Sequence, residues 1–223
     1  MTDNPIELTV ENGVATVFID RPERKNALSV AAANGLADAW DQIEADDSIR
    51  VVILTSADCG VFSAGLDLKE AAEIARDEGI DILSKMRDPF HDRMRACSKP
   101  IISAMTGSLM AGGMMLTLMS DLRVGLKGTK VGITEVKIGR GSPWAAPGLS
   151  MLPQPVLMEL VLTGDLLPIE RLHDYGFTNY LEKTPDAVRT RARELADRIA
   201  SGAPLSVIAA KASVRATMDL GCA

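Results

Sequence analysis

The chain has 223 residues, 47% of them hydrophobic and 24% charged, with a formal net charge of −6, which suits one globular domain with enough apolar material for a sizeable core. The acidic balance argues against a nucleic-acid binder, which carries a basic face, but leaves room for an anionic small ligand held by local cations. No apolar run reaches the roughly 20 residues of a membrane span, and "MTDNPIELTV" lacks the basic head and apolar stretch of a secretory signal.

In chain order, "IELTVENGVATVFID" alternates around Asn12-Gly13 and predicts a hairpin. "RPERKNALS" reads as a loop, with Ser29 as N-cap of a helix carrying Leu36, Trp40 and Ile43. "IRVVILTS" is a continuous β-branched run, the mark of a strand covered on both faces. "ADCGVFSAGLDL" is expected to be a loop, followed by helical patterns in "KEAAEIARDEG" and "ILSKMRDPFHDRMRACS". "KPIISAMTG" predicts another buried strand, and the pair Gly112-Gly113 opens a helix behind it. "LRVGLKGTKVGIT" predicts a strand pair, and "GRGSPWAAPG" a loop. From "PVLMELVLTG" onward the pattern is helical, most clearly in "DAVRTRARELADRIASG". The expectation is an α/β core over residues 1–165 and a helical region over 166–223.

Cys59, Cys97 and Cys222 are odd in number and far apart, with neither metal-ligand spacing nor a disulfide framework, which fits a reducing cytoplasm. His91 and His173 are the only histidines, so no metal site is expected.

Two segments carry candidate chemistry. "FSAGLDLKE" at 62–70 and "TGSLMAGG" at 106–113 each follow a buried strand and place glycine just before a helix. Free N–H groups and the positive end of the helix dipole point outward there. Two such amides meeting at one point form an oxyanion hole, where one preorganised donor contributes about 3–4 kcal/mol to a transition state gaining negative charge. Either loop alone is ordinary turn chemistry. A serine hydrolase is the competing enzyme, with Ser63, Ser98 or Ser103 as nucleophile and His91 or His173 as base. No G-x-S-x-G elbow surrounds any of these serines.

Five blocks lie in order along nearly the whole chain: "RPERKNALS", "FSAGLDLKE", "KPIISAMTGSLMAGGMMLTLMSDLRVG", "VGITEVKIG" and "LTGDLLPIERLHDYGFTNYL". Together they resemble the enoyl-CoA hydratase/isomerase (crotonase) family. The resemblance implies an α/β crotonase-like spiral of ββα units with a C-terminal α-helical extension supporting a homotrimer or a dimer of trimers. The chain ends at "MDLGCA", before the last helices usual in that family.

The resemblance also implies an acyl-CoA thioester as ligand, whose carbonyl is held by the backbone N–H groups of Leu66 and Gly112. Glycine at 112 would let the backbone approach that oxygen. Backbone groups near Lys25, Ala27, Ala64 and Leu68 would contact adenine and pantetheine, and Arg24 or Lys25 would face phosphate. Coenzyme A is then part of the substrate, and no separate cofactor, nucleic acid or membrane is expected.

Family hydratases carry two glutamates. Glu135, in "GITEVKIG", matches one, while the other falls on Met115, which cannot carry a proton. In another branch an aspartate stands eight residues beyond the glutamate, and here that residue is Pro143. Met110, Met115 and Trp144 are the implied acyl-pocket wall, for which methionine is adaptable and polarizable. One carboxylate suffices to shift a double bond, by taking an α-proton and returning it at the γ-carbon. Hydration asks more of it. The expectation is an enoyl-CoA hydratase or double-bond isomerase using Glu135. The alternative is a weak or inactive acyl-CoA-binding relative, since Met115 replaces the first glutamate.

Overall fold

The structure, a computed structural model, describes residues 4–221, so Cys222 lies outside the described residues. Strands β1 (Ile6–Glu11) and β2 (Val14–Ile19) form the expected hairpin, in antiparallel register from Ile6 opposite Ile19 to Glu11 opposite Val14. Asn12 and Gly13 both have positive φ, 52° and 77°, which makes the primed turn whose twist matches a two-residue hairpin. Helix α1 (Val30–Ala45) begins where expected, the Ser29 hydroxyl accepting from the Ala32 amide.

From there the chain winds as a spiral. β3 (Val51–Ser56), β5 (Ile101–Met105) and β7 (Leu122–Leu126) enter one sheet, and β4 (Val61–Ser63), β6 (Ser108–Met110) and β8 (Lys130–Gly132) enter another. Each turn leaves one strand in each sheet. Helix α2 (Leu68–Glu78) follows β4, and α3 (Gly112–Leu118) follows β6. Pairing is parallel for β2 with β3, β3 with β5 and β5 with β7 in the first sheet, and for β4 with β6 and β6 with β8 in the second. This is the ββα spiral that the resemblance implied.

The C-terminal part supplies α4 (Gln154–Thr163), β9 (Leu167–Pro168), α5 (Ile169–Asp174), β10 (Tyr180–Glu182), α6 (Pro185–Ala200) and α7 (Pro204–Gly221). It is therefore not helices alone: β9 closes the small sheet against β8, and β10 extends the large one beside β7. The large sheet is covered on both faces. Val51, Ile53, Ile102 and Val124 pack toward Val188, Ala192 and Leu195 of α6. Val52, Leu54 and Ile101 join the main core around Trp40, Phe62 and Phe177. Two-sided burial is why "VVILTS" shows no alternation.

Three other expectations are corrected. "LRVGLKGTKVGIT" is not a strand pair, because β7 and β8 belong to different sheets. The loop expected over "ADCGVFSAGLDL" contains β4, a strand of three residues and too short to leave a periodic trace. The helix expected over "ILSKMRDPFHDRMRACS" breaks into a 3-10 turn at Ile82–Lys85 and a π turn at Phe90–Met94, because Pro89 removes an amide and clashes with the preceding turn. Among the described residues no helix is long and apolar enough to cross a membrane.

Candidate active site

The small sheet sets the site. In the order β4-β6-β8 its three parallel strands end side by side at Ser63, Met110 and Gly132, and crevices outside the carboxyl ends of parallel strands are where open α/β sheets bind ligands. Leu66 follows the first strand, Gly112 the middle one and Glu135 the third. Gly112 thus lies between the other two.

Backbone contacts hold these segments together. A Cβ on Gly65 would lie 2.7 Å from Ala111 Cβ and 2.8 Å from Gly112 N, so the first two loops touch backbone to backbone. Gly65 also has φ +82°, a conformation natural to glycine. A Cβ on Gly113 would lie 2.4 Å from the Ser63 carbonyl oxygen, which seats α3 against β4. Gly112 itself is less crowded: a Cβ there would meet Leu28 Cδ1 at 3.1 Å. On the other side, the Ala111 amide donates to the Gly132 carbonyl at 3.0 Å. Ala111 has φ 50° and ψ −119°, an unfavourable backbone for a residue with a Cβ and a strain of about 1–3 kcal/mol that packing must hold.

The loop expected at the nucleotide end is laced to the first of these segments. The Ala64 amide donates to Lys25 O at 3.1 Å, the Leu28 amide to Gly65 O at 2.7 Å, and the Asp67 amide to Leu28 O at 3.0 Å. Leu28 and Leu66 form a parallel bridge, so the Leu66 N–H turns away from Leu28. Among the described residues neither the Leu66 nor the Gly112 amide donates to a protein acceptor. Both residues are half-buried. Two unspent donors on touching loops are the elements of an anion cradle.

Asp67 fastens this region and was not singled out in the sequence. Its side chain is 3% exposed and binds Arg21 Nη1 and Arg24 Nη2, each at 2.7 Å. It also caps α2 by accepting from the Lys69 and Glu70 amides. Despite burial, which pushes the other way, the two guanidiniums and the Glu70 amide hold its carboxyl at about 2. The signal was present as Asp67-Leu-Lys-Glu70, an N-cap followed three residues later by glutamate. Here Glu70 reaches not back to Asp67 but across to the Val30 amide at 3.2 Å, joining the starts of α1 and α2. Asn26, fully buried, likewise bonds the Ala57 and Val61 carbonyls at 2.9 and 2.8 Å.

Asp67→Asn should therefore lower stability at neutral pH by about 3 kcal/mol, as expected when one partner of a buried ion pair is removed. Because the folded pKa lies below the unfolded one, that stability is present above the unfolded value and is lost as pH falls from about 4 toward 2. Thermal melts of both proteins across that window should converge at the acid end; a constant gap would rule out the charge as its cause.

Glu135 opens a 3-10 turn over Glu135–Ile138. It is 8% exposed, and its Oε2 is buried without a hydrogen-bond partner. Burial raises its carboxyl above the usual carboxylate range, against a smaller opposing effect of backbone amides. A buried carboxyl with a lone oxygen and a raised pKa is equipped to exchange a proton.

The remaining candidates fall as follows. Met115 is 7% exposed on α3, while Met110 on β6 is half-buried. Trp144 is half-buried and packs against the main core, in a 3-10 stretch over Pro143–Ser150 that replaces the expected loop. Ala27 is buried, Ala64 half-buried, and Lys25 and Leu68 exposed. Of the two cations expected to face phosphate, Arg24 is held by Asp67, while Lys25 sits in a left-handed backbone with φ 54°. Behind the site, buried Arg123 donates to the carbonyls of Thr117 at 3.0 Å, Ser120 at 2.9 Å and Phe177 at 2.5 Å, fixing the far end of α3.

The serine-hydrolase arrangement does not form. Ser63 Oγ accepts from the Gly65 amide, Ser98 Oγ donates to Glu44, and Ser103 Oγ lies 2.6 Å from Ser120 Oγ. His91 pairs with Asp88 and His173 with Thr178. Among the described residues no serine meets a histidine. A cavity of about 560 Å³ lies elsewhere, at the C-terminal end of α3 against α7, lined by Met119, Asp121, Lys211 and Arg215. It lacks the free amides and the lone carboxyl oxygen, so size does not make it the reaction site.

The family model described as enoyl-CoA hydratase/isomerase matches residues 9–222. The (E)-benzylidenesuccinyl-CoA hydratase of Thauera aromatica is 36% identical over 219 residues, covering 93% of this chain and 80% of that protein. The carnitinyl-CoA dehydratase of Proteus mirabilis (strain HI4320) is 30% identical over 222 residues, covering 96% and 82%. Among solved structures, an enoyl-CoA hydratase from Mycobacterium tuberculosis H37Rv superposes with a TM-score of 0.83 at 34% identity, covering 99% of this chain and 88% of that one.

Proposed function

Since the chain belongs to the enoyl-CoA hydratase/isomerase family, we propose that it transforms the double bond next to the carbonyl of a coenzyme A thioester. The Leu66 and Gly112 amides receive the enolate oxygen, and Glu135 moves the proton. The observation that carries this reading is the lone, buried Oε2 of Glu135 on the sheet edge that also presents the two undonated amides.

The chemistry follows from where charge develops. Adding a nucleophile at the β-carbon, or removing an α-proton, sends an electron pair toward the thioester oxygen. Amides already aimed at that oxygen stabilise it without reorganising. In hydration the Glu135 carboxylate takes a proton from water as the oxygen bonds to the β-carbon. The carboxyl then returns a proton to the α-carbon, and dehydration runs the same steps backward. A pKa raised toward neutrality suits a group that must both accept and give a proton. The hydratase and dehydratase names of the two relatives support this reading. Binding of the nucleotide part falls to the loop around Lys25, Ala27, Ala64 and Leu68, with Lys25 the exposed cation there.

A second reading, a double-bond shift, is favoured by Met115, which places no second acid in the site. Incubation with 2-enoyl- and 3-enoyl-CoA esters, followed by mass and retention, separates the two. Gain of water identifies a hydratase, and a moved bond at constant mass identifies an isomerase. No change with either ester would reduce the protein to an acyl-CoA binder. Met115→Glu should shift the ratio of hydration to isomerisation by at least about 10²-fold, the low end of what a positioned acid-base group gives. It should also lower the melting temperature, because a carboxyl enters a buried position. An unchanged product ratio would leave Met115 as wall alone.

A further inference from the structure

Asp81 and Arg140 form an ion pair, with Nη2 to Oδ2 at 2.5 Å. The two residues come from opposite flanks of the site. Asp81 follows α2 and accepts from the Leu83 amide at 2.9 Å, capping the turn Ile82–Lys85. Arg140 stands just past the turn carrying Glu135, and its amide donates to the Glu135 carbonyl at 3.0 Å.

The pair therefore closes a frame. One side starts at Leu66 and Asp67 and runs along the 11 residues of α2, about 16 Å at helical rise. The other starts at Gly132, at the end of β8 on the far side of β6, and passes through Glu135 to Arg140. The Leu66 and Gly112 amides stand at the sheet-edge corner, and the ion pair spans the opposite one. A thioester with its oxygen on those amides and its reacting carbons at Glu135 has its nucleotide arm toward Lys25. Its acyl group then runs the other way, inside the frame. Ile80, Leu83 and Ile138, large apolar residues left exposed, stand beside the pair on its two flanks.

We propose that the Asp81–Arg140 pair gates the acyl end of the site and selects esters by acyl size; this rests on the thioester reading above. Short acyl groups fit inside the closed frame, and longer ones must part the ions. The pair is suited to opening. Asp81 is 50% and Arg140 35% exposed, and a pair so wetted shifts an equilibrium by no more than about fivefold.

The test compares wild type with Asp81→Asn, which keeps a capping oxygen for Leu83, with Arg140→Gln, and with the double variant. Straight-chain 2-enoyl-CoA esters from butenoyl to hexadecenoyl serve as substrates. Each single variant should raise kcat/KM for long esters relative to butenoyl by about three- to fivefold. The double variant should match the singles rather than multiply them, since both break one interaction. Added salt should reproduce the shift in wild type and not in the variants.

An unchanged ratio in both singles, or multiplied effects in the double, overturns the gate. So does a preference in wild type, lost in Arg140→Gln, for an ester ending in a carboxylate over its methyl-ended counterpart; Arg140 would then be a direct substrate ligand. Titration with saturated acyl-CoA esters keeps the proposal separate from the chemistry. If no enoyl ester is turned over, the proposed reaction fails, yet the same size shift in affinity still reads the gate. Failure to bind any acyl-CoA ester sinks both.

Discussion

Glu135→Gln is expected to lower turnover of the enoyl-CoA substrate by about 10²–10⁴-fold, the usual contribution of a positioned acid-base group. Affinity for a saturated, non-reacting ester should be retained, because the amide cradle and nucleotide loop are untouched. In wild type the acid limb of kcat/KM should lie above the ordinary carboxylate range, since burial raises the Glu135 carboxyl. A second consequence concerns stability. With a folded pKa above the unfolded one, ionising Glu135 at neutral pH costs the folded state more than the unfolded. The protein is most favoured below the unfolded carboxylate pKa, and this advantage drains away as pH rises through the folded value. Glu135→Gln should therefore melt above wild type at neutral pH, with the gap closing in acid. Steady-state rates over pH, calorimetric titration and melting curves over pH check these outcomes. Full turnover by the variant would remove Glu135 from the mechanism.

Gly65→Ala is expected to damage the site severely. The added carbon would fall 2.7 Å from Ala111 Cβ and 2.8 Å from Gly112 N, on a backbone with φ +82°. The left-handed conformation alone costs alanine about 1–2 kcal/mol. The contact then forces apart the two loops whose amides must share one oxygen, and a displacement near 1 Å at such a site lowers rates by about 10²-fold. Gly112→Ala makes the contrast, because its nearest neighbour is the movable Leu28 Cδ1 at 3.1 Å. It should fold with little loss of melting temperature, so that any fall in its rate reports on the approach of substrate. If Gly65→Ala turned over at the wild-type rate, contact between the loops would be irrelevant to catalysis.

The sequence carried different parts of this protein with different clarity. The hairpin at Asn12-Gly13, the Ser29 cap and the buried strands over "IRVVILTS" and "KPIISAMTG" were legible, because each rests on chemistry within a few residues. The five ordered blocks pointed to the family and to Leu66, Gly112 and Glu135. The clamps were not legible. Asp67 draws Arg21 and Arg24 from more than forty positions away, and Asn26 reaches carbonyls more than thirty positions away. Nor was the small sheet, whose strands β4, β6 and β8 of three residues each have no period to detect. Reading β7 and β8 as partners failed for the same reason: adjacency in sequence does not say which sheet a strand joins.

By itself, then, the sequence determined the local elements, the glycines that free two turns, and the lone carboxyl offered by "GITEVKIG". Only the tertiary structure decided that Gly65 lies against Gly112, that Glu135 is buried with an unpaired oxygen, and that Asp81 meets Arg140. The physical reason is range. Propensities, caps and turns are settled between neighbours along the chain, whereas burial, desolvation and ion pairing depend on which distant segments the spiral brings side by side.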